Sequence, residues 1–392
     1  MDTTAPCWNA NDRTGAVRDG ASALASNLHQ AAECLFFTTN NGGYRMRGMC
    51  SWLMALAMLL VASAQAAERI PVKVVVVAMF EMGALTGDQP GEMQLWVERE
   101  RLDKVYPFAL GEYELRMNDR GLLAICTGGG VTNAATSIMA LGMDERFDLS
   151  KAYWLVAGIA GGDPLDVSLG TAAWSRSVVD GDLLYEIDAR EIPKDWPYGL
   201  LPLGAKRPND KADGWTVDTI DFPLNESLAR WAYALTKNHP VPDSAGIADF
   251  RKQFKGYDNA TRPPFVTLGE SLSSSTYWHG ERMNGWANDW VKLQSSPQRN
   301  FMMTNMEDSG TLTALRRLAR GKLVDMQRVL VLRTASNYTM PPPGESAAWS
   351  TTAPYPEQGL PAIEAAYQVG NRVVQYLLKE WPTVSAKVPS AP

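Results

Sequence analysis

Residues 71–79, PVKVVVVAM, constrain this chain more than any other stretch. A β-branched run without polar alternation cannot lie on a half-exposed sheet, because every second valine would face water, so it predicts a central strand buried on both faces. The fold must therefore cover its sheet twice. Residues 121–126 and 152–157 are two further apolar runs, each followed by glycines, and residues 133–141 between them have helical composition. That order reads as strand, glycine loop, helix, strand.

Later, residues 328–333 form another buried strand, preceded by a helix over about 308–320. From 357 to 381, apolar positions Ile363, Ala366, Tyr367, Gly370, Val374, Leu377 and Leu378 recur at three- and four-residue spacings, which predicts an amphipathic C-terminal helix. Strands and helices alternate, so the fold class is α/β. Residues 187–262 are rich in Pro, Asp and Trp and read as an insertion around the core, with one helix near 226–237.

Ahead of the first strand, SWLMALAMLLVA at 51–62 is an apolar run preceded by Arg45 and Arg47 and followed by Ala64-Gln65-Ala66. Basic region, short apolar region and small-residue site make a secretory signal over residues 46–67, with cleavage after Ala66 or Ala67. The run is shorter than the roughly 20 residues of a spanning helix, although an uncleaved anchor stays open. Residues 1–45 lack periodicity and read as an upstream extension or disordered tail, with Met46 or Met49 as alternative starts. The expected mature body is 68–392, secreted and periplasmic.

Charge and cysteine usage then exclude several functions. Lys+Arg 37 against Asp+Glu 43 gives −6, and the leader carries equal numbers of each sign, so the mature chain lacks the basic surface that nucleic acid requires. Cys7, Cys34 and Cys50 precede the cleavage site and only Cys126 remains, which leaves no disulfide. His239 and His279 are the only histidines after the leader, so no metal centre is expected and no cofactor is implied.

Five polar motifs punctuate the body. Thr127-Gly128-Gly129-Gly130 joins a strand to a helix, where free N–H groups attract anions or ligand oxygens, yet a tight connection would look the same. No Lys follows, so it is not a Walker loop. Gly158-Ile159-Ala160-Gly161-Gly162 follows the next strand and reads either as a close approach to a flat ligand or as a bulge. Ser273 to Tyr277 sets hydroxyls beside Tyr277 and Trp278, with Trp286 and Trp290 beyond, which suits base stacking or an aromatic core patch. Met306-Glu307-Asp308 puts carboxylates at a helix start, where capping is the alternative. Ser336-Asn337 stands at the carboxyl end of a buried strand, where open α/β sheets place ligands.

In this order the motifs resemble the nucleoside phosphorylase and nucleosidase superfamily, and more closely its purine nucleoside permease family, over about residues 70–380. The resemblance implies a three-layer α/β/α sandwich with a central mixed sheet and a purine nucleoside as ligand. It further implies that Glu307 holds the ribose 2′- and 3′-hydroxyls with Met306 under the sugar. Tyr277 would meet the base, and Asn337 its N7 edge. Thr127, Gly128, Gly129, Gly161, Ser275 and Ser336 would complete the binding site. Glu81, just after the first strand, stands near the superfamily's water-activating carboxylate, or is a loop acid.

Two departures qualify the carry-over. Members acting on 6-aminopurines often have Asp where Asn337 stands, and an amide cannot protonate N7. Neither the 127–130 loop nor residues 79–82 offers an Arg for phosphate, which favours water if there is turnover. Nucleoside uptake and exported nucleosidase or phosphorylase activity both remain open, as do a membrane transport partner and a homo-oligomer.

Overall fold

A computed structural model describes residues 68–211 and 217–391. The upstream extension and the signal segment lie outside the described residues. The body from Glu68 onward is a single compact unit.

The strand expected at 71–79 is β1, Val74–Ala78, and all five of its residues are buried. Its side chains alternate between two apolar layers, as the pleat requires. Val74, Val76 and Ala78 pack with Val369, Val373 and Leu377 on one face. Val75 and Val77 pack with Ile138, Leu141, Leu312 and Leu315 on the other. Three layers, helix on sheet on helix, follow directly from that alternation.

Subsequent elements are α1 (Gln94–Arg99), β2 (Leu122–Cys126), α2 (Val131–Gly142), β3 (Tyr153–Gly162), β4 (Ala172–Asp180), α3 (Glu226–Thr236), α4 (Ala245–Arg251) and β5 (Val266–Ser273). The chain continues through α5 (Glu281–Gln294), β6 (Phe301–Asn305), α6 (Asp308–Arg320), β7 (Val329–Tyr338), α7 (Ala347–Thr352) and α8 (Leu360–Lys379). Helix α8 starts later than the periodicity predicts. Glu357 and Gln358 have φ of 46° and 57°, and Pro361 sits in the helix's first turn, so the preceding residues form a separate turn.

The sheet is mixed. β1 pairs in parallel with β2 and β3, and β7 runs parallel to β3 but antiparallel to β4. β4 is parallel to β5, β5 is parallel to β6, and β6 returns to β3 in antiparallel contact. These pairings close β3, β7, β4, β5 and β6 into a ring, with β1 and β2 extending from it as an open wing.

Two sequence readings change. The glycines of 158–162 are not a loop but the end of β3, a strand of ten residues paired with β7 to Gly162. Residues 187–262 carry not one helix but α3, α4 and the short turn of helix Asp258–Thr261, and Asp221–Pro223 adds an edge strand to β4. Part of the supposed insertion is thus built into the sheet.

Candidate functional site

Ring closure brings the ends of β3, β6 and β7 and the segment after β5 to one mouth. A cavity of about 170 Å³ opens there, lined by Gly161, Tyr277, Met306, Glu307, Ser336 and Asn337 among the residues singled out from sequence. Those six come from four separate stretches of chain. Glu92, Phe80, Ile159, Thr304 and Tyr355 also line it; Phe80, Ile159 and Thr304 lie in or beside the motifs read from sequence but are given no role there, and Glu92 and Tyr355 are not singled out at all.

Glu307 closes β6 onto α6. Its side chain makes no capping bond to that helix; Asn305 Oδ1 takes the N–H groups of Glu307 and Asp308 instead, at 3.2 and 2.9 Å. The Glu307 carboxylate is free of that task and faces the cavity. Its Oε1 accepts from the Gly130 N–H at 3.2 Å, and its Oε2 from Arg333 Nη2 at 3.3 Å. Arg333 is fully buried on β7 and also donates to Asp308 Oδ1 at 2.5 Å. Burial opposes its charge, but Asp308 and Glu307 raise its pKa above the ordinary value. A fixed cation therefore stands directly behind the Glu307 carboxylate.

Glu92 is the second carboxyl of the cavity and only 5% exposed. The Met79 N–H donates to its Oε2 at 2.8 Å and the Ile159 N–H to its Oε1 at 2.7 Å. Burial pushes its pKa up to about 8, Arg333 pulls it down and Glu307 adds to the rise. Of the two carboxyls in the cavity, Glu307 is bridged to a buried cation and Glu92 is raised toward neutrality.

Glu81 is placed differently from the sequence expectation and is absent from the lining. Its Oε2 accepts from the N–H groups of Met93 and Gln94 at 3.1 and 2.7 Å, and Oε1 accepts from Gly91 and Met82. Gly91, Met93 and Gln94 lie at or just before the start of α1, so Glu81 ties down the loop that delivers Glu92. The physical reason is reach: the chain returns ten residues later, and the first turn of α1 presents free N–H groups to the nearer acid.

Thr127, Gly128, Gly129 and Ser275 are also outside the lining. Thr127 is buried and its hydroxyl donates to Gly128 O at 3.0 Å. The loop reaches the site through Gly130, whose φ of 92° turns its N–H toward Glu307. Ser275 Oγ accepts from the Val131 N–H at 3.3 Å and so joins that loop to the segment after β5.

Opposite the carboxyls, Asn337 Nδ2 donates to Tyr277 OH at 2.9 Å, while Ser336 Oγ donates to Asn337 Oδ1 at 3.1 Å. Tyr277 is 41% exposed, available to a flat ligand. Trp286 and Trp290 are not; they pack with Trp278 and Phe301 in a buried aromatic cluster, the core alternative raised for that segment. No Lys, Arg or His appears in the cavity lining.

The protein is thus a mixed-sheet α/β fold of three layers whose strand ends gather a carboxylate, an aromatic and an amide at one cavity. Solved structures similar to the chain include a 5′-methylthioadenosine/S-adenosylhomocysteine nucleosidase from Neisseria meningitidis, at 15% identity and TM-score 0.45 over 78% of this chain and 99% of that one. Futalosine hydrolase of Helicobacter pylori is another, at 13% identity and TM-score 0.45 over 78% and 98%. The family model for purine nucleoside permease matches residues 71–389, and the chain belongs to that family. A purine nucleoside permease of Candida albicans is 35% identical over 227 residues, which are 57% of this chain and 55% of the relative. A Schizosaccharomyces pombe protein named as a probable purine nucleoside permease is 28% identical over 262 residues, 65% of this chain and 75% of that one. The chain thus spans about half the length of the Candida relative it matches.

Proposed function

We propose that the cavity binds a purine nucleoside outside the cytoplasm, that the chain takes part in nucleoside uptake, and that the site cuts the N-glycosidic bond with water. The observation that carries the reading is Glu92, a buried carboxyl raised to about 8 in the same cavity as Glu307. Glu307 accepts from the ribose hydroxyls, and an ionised acceptor suits a cis-diol because its bonds are stronger than neutral ones. Glu92, when ionised, takes a proton from water as it attacks C1′. Asn337 hydrogen-bonds the departing base at N7. The cavity lining has no cationic side chain for a phosphate dianion, which supports water as the nucleophile. Among the described residues no helix is long and apolar enough to cross a membrane, so the part in uptake assigned to this body is capture and processing.

The test is release of free base from inosine, guanosine and adenosine, with and without phosphate. Phosphate-independent release is expected, with inosine and guanosine ahead of adenosine because an amide cannot protonate N7. Release only with phosphate would replace hydrolysis by phosphorolysis. Tight binding with no release would leave capture as the whole activity.

A further inference from the structure

A smaller cavity of about 30 Å³ adjoins the first. The two share Tyr277, Asn337 and Tyr355, whereas Glu92, Met306 and Glu307 line only the larger one. The annex therefore opens from the amide end and not from the acid end. Its own walls are Phe250 on α4, Phe254 just beyond, and Trp349, Pro354 and Pro356 from the segment after β7. That segment is pinned at both ends. His279 Nε2 lies 2.8 Å from Ser350 Oγ, and Ser244 Oγ donates to Glu357 Oε1 at 2.6 Å.

Tyr338 and Ser350 also line the annex, but their hydroxyls are already engaged by Ala260 O and His279. The walls thus have little to offer a polar group, and Trp349 is 43% exposed at their edge. An apolar group carried by the ligand in the main cavity is what they fit. On the reading of the main cavity proposed above, on which this inference rests, Asn337 and Tyr277 meet the base, so the group must be attached to the purine ring. We propose that the annex receives a small alkyl substituent on the base, making purine nucleosides alkylated at the 6-amino group preferred ligands. Its volume takes about two water-sized groups, hence two or three carbons.

Calorimetric titration of the full chain with adenosine, N6-methyladenosine, N6-propyladenosine and 5′-deoxy-5′-propylthioadenosine tests this. A buried methylene is worth roughly fourfold in affinity, so with two or three carbons buried N6-propyladenosine should bind roughly 15- to 60-fold more tightly than adenosine, with the methyl compound between. Ala353→Leu, which fills the annex, should abolish that preference and leave adenosine affinity within about twofold. Trp349→Ala should reduce it without altering the fold, since the indole is half exposed. If adenosine binds and the propyl compound binds no better, the annex proposal falls while nucleoside binding stands. Preference for the 5′-propylthio compound, lost in Ala353→Leu, would overturn it by assigning the annex to the sugar. Failure of all four ligands to bind would remove both readings.

Discussion

At the scale of single residues the site turns on which of two nearby acids faces the ligand. Glu81 spends its carboxylate on backbone N–H groups, and Glu92 lies in the cavity wall with its pKa raised to about 8. Glu92→Gln should lower kcat by about 10²- to 10⁴-fold, the usual contribution of a positioned base, while Glu81→Gln should change it by no more than about tenfold. A base must be ionised, so kcat/KM should rise with pH through about 8 in the native chain and lose that limb in Glu92→Gln. Stability responds in the opposite sense. The unfolded carboxyl ionises near 4.5 and the folded one near 8. The folded state therefore holds the extra proton between them, and stability present below 4.5 is lost as pH rises through 8. The Tm difference between Glu92→Gln and the native chain should widen in favour of the variant from pH 5 to pH 8. Equal kcat losses in Glu81→Gln and Glu92→Gln, with parallel Tm curves, would remove Glu92 from this role.

At the scale of elements, β3 is where strand and site become one object. Gly158 lies against the Glu92 carboxylate, and a Cβ there would stand 2.6 Å from its Cδ as well as against the Met79 methyl. The methyl can move aside, but the carboxylate is held by two backbone N–H groups. Gly158→Ala should cost about 1–3 kcal/mol of stability, the usual penalty for overpacking, and lower kcat nearly as far as Glu92→Gln. In a double variant the two losses should not add, because both act on one group; full additivity would show that Gly158 matters for packing alone. The same strand explains what the sequence could and could not disclose. β1, β2 and the first half of β3 are apolar on both faces and read plainly as central strands. β4 and β5 do not, because the ring pairs their polar side chains with one another. Ser175 meets Ser271 at 2.7 Å, and Arg176 donates to Glu270 at 3.0 Å. Buried polar pairs of that kind satisfy themselves in the folded ring but look like loop chemistry in one dimension. Glu307 and Asn337 were visible because each ends a recognisable strand or starts a helix. Glu92 was hidden by its separation of 13 positions from Met79, a loop length that no periodicity spans.

At the scale of the whole molecule, everything that makes the cavity lies after Glu68. The ring strands, the wing, the α2–α6 layer, α8 and every lining residue belong to the one compact unit that begins there. Residues 1–67 lie outside the described residues, and their basic, apolar and Ala-Gln-Ala pattern is the one read from sequence as an export signal. A chain starting at Glu68 should accordingly fold with the Tm of the longer chain and bind inosine with the same Kd. Its net charge is expected to be the same as well, since the leader's acidic and basic residues balance. The exported protein should have Ala67 or Glu68 as its first residue on N-terminal sequencing. Two results would overturn this division of labour. A fall in Tm of several degrees on removing residues 1–67 would make the leader part of the fold, because about 1 kcal/mol shifts Tm by roughly 2–4 °C in a domain of some 150–250 residues. Recovery of the protein in the membrane fraction with residues 51–62 intact would make the segment an anchor, and the nucleoside site would then work tethered to the bilayer.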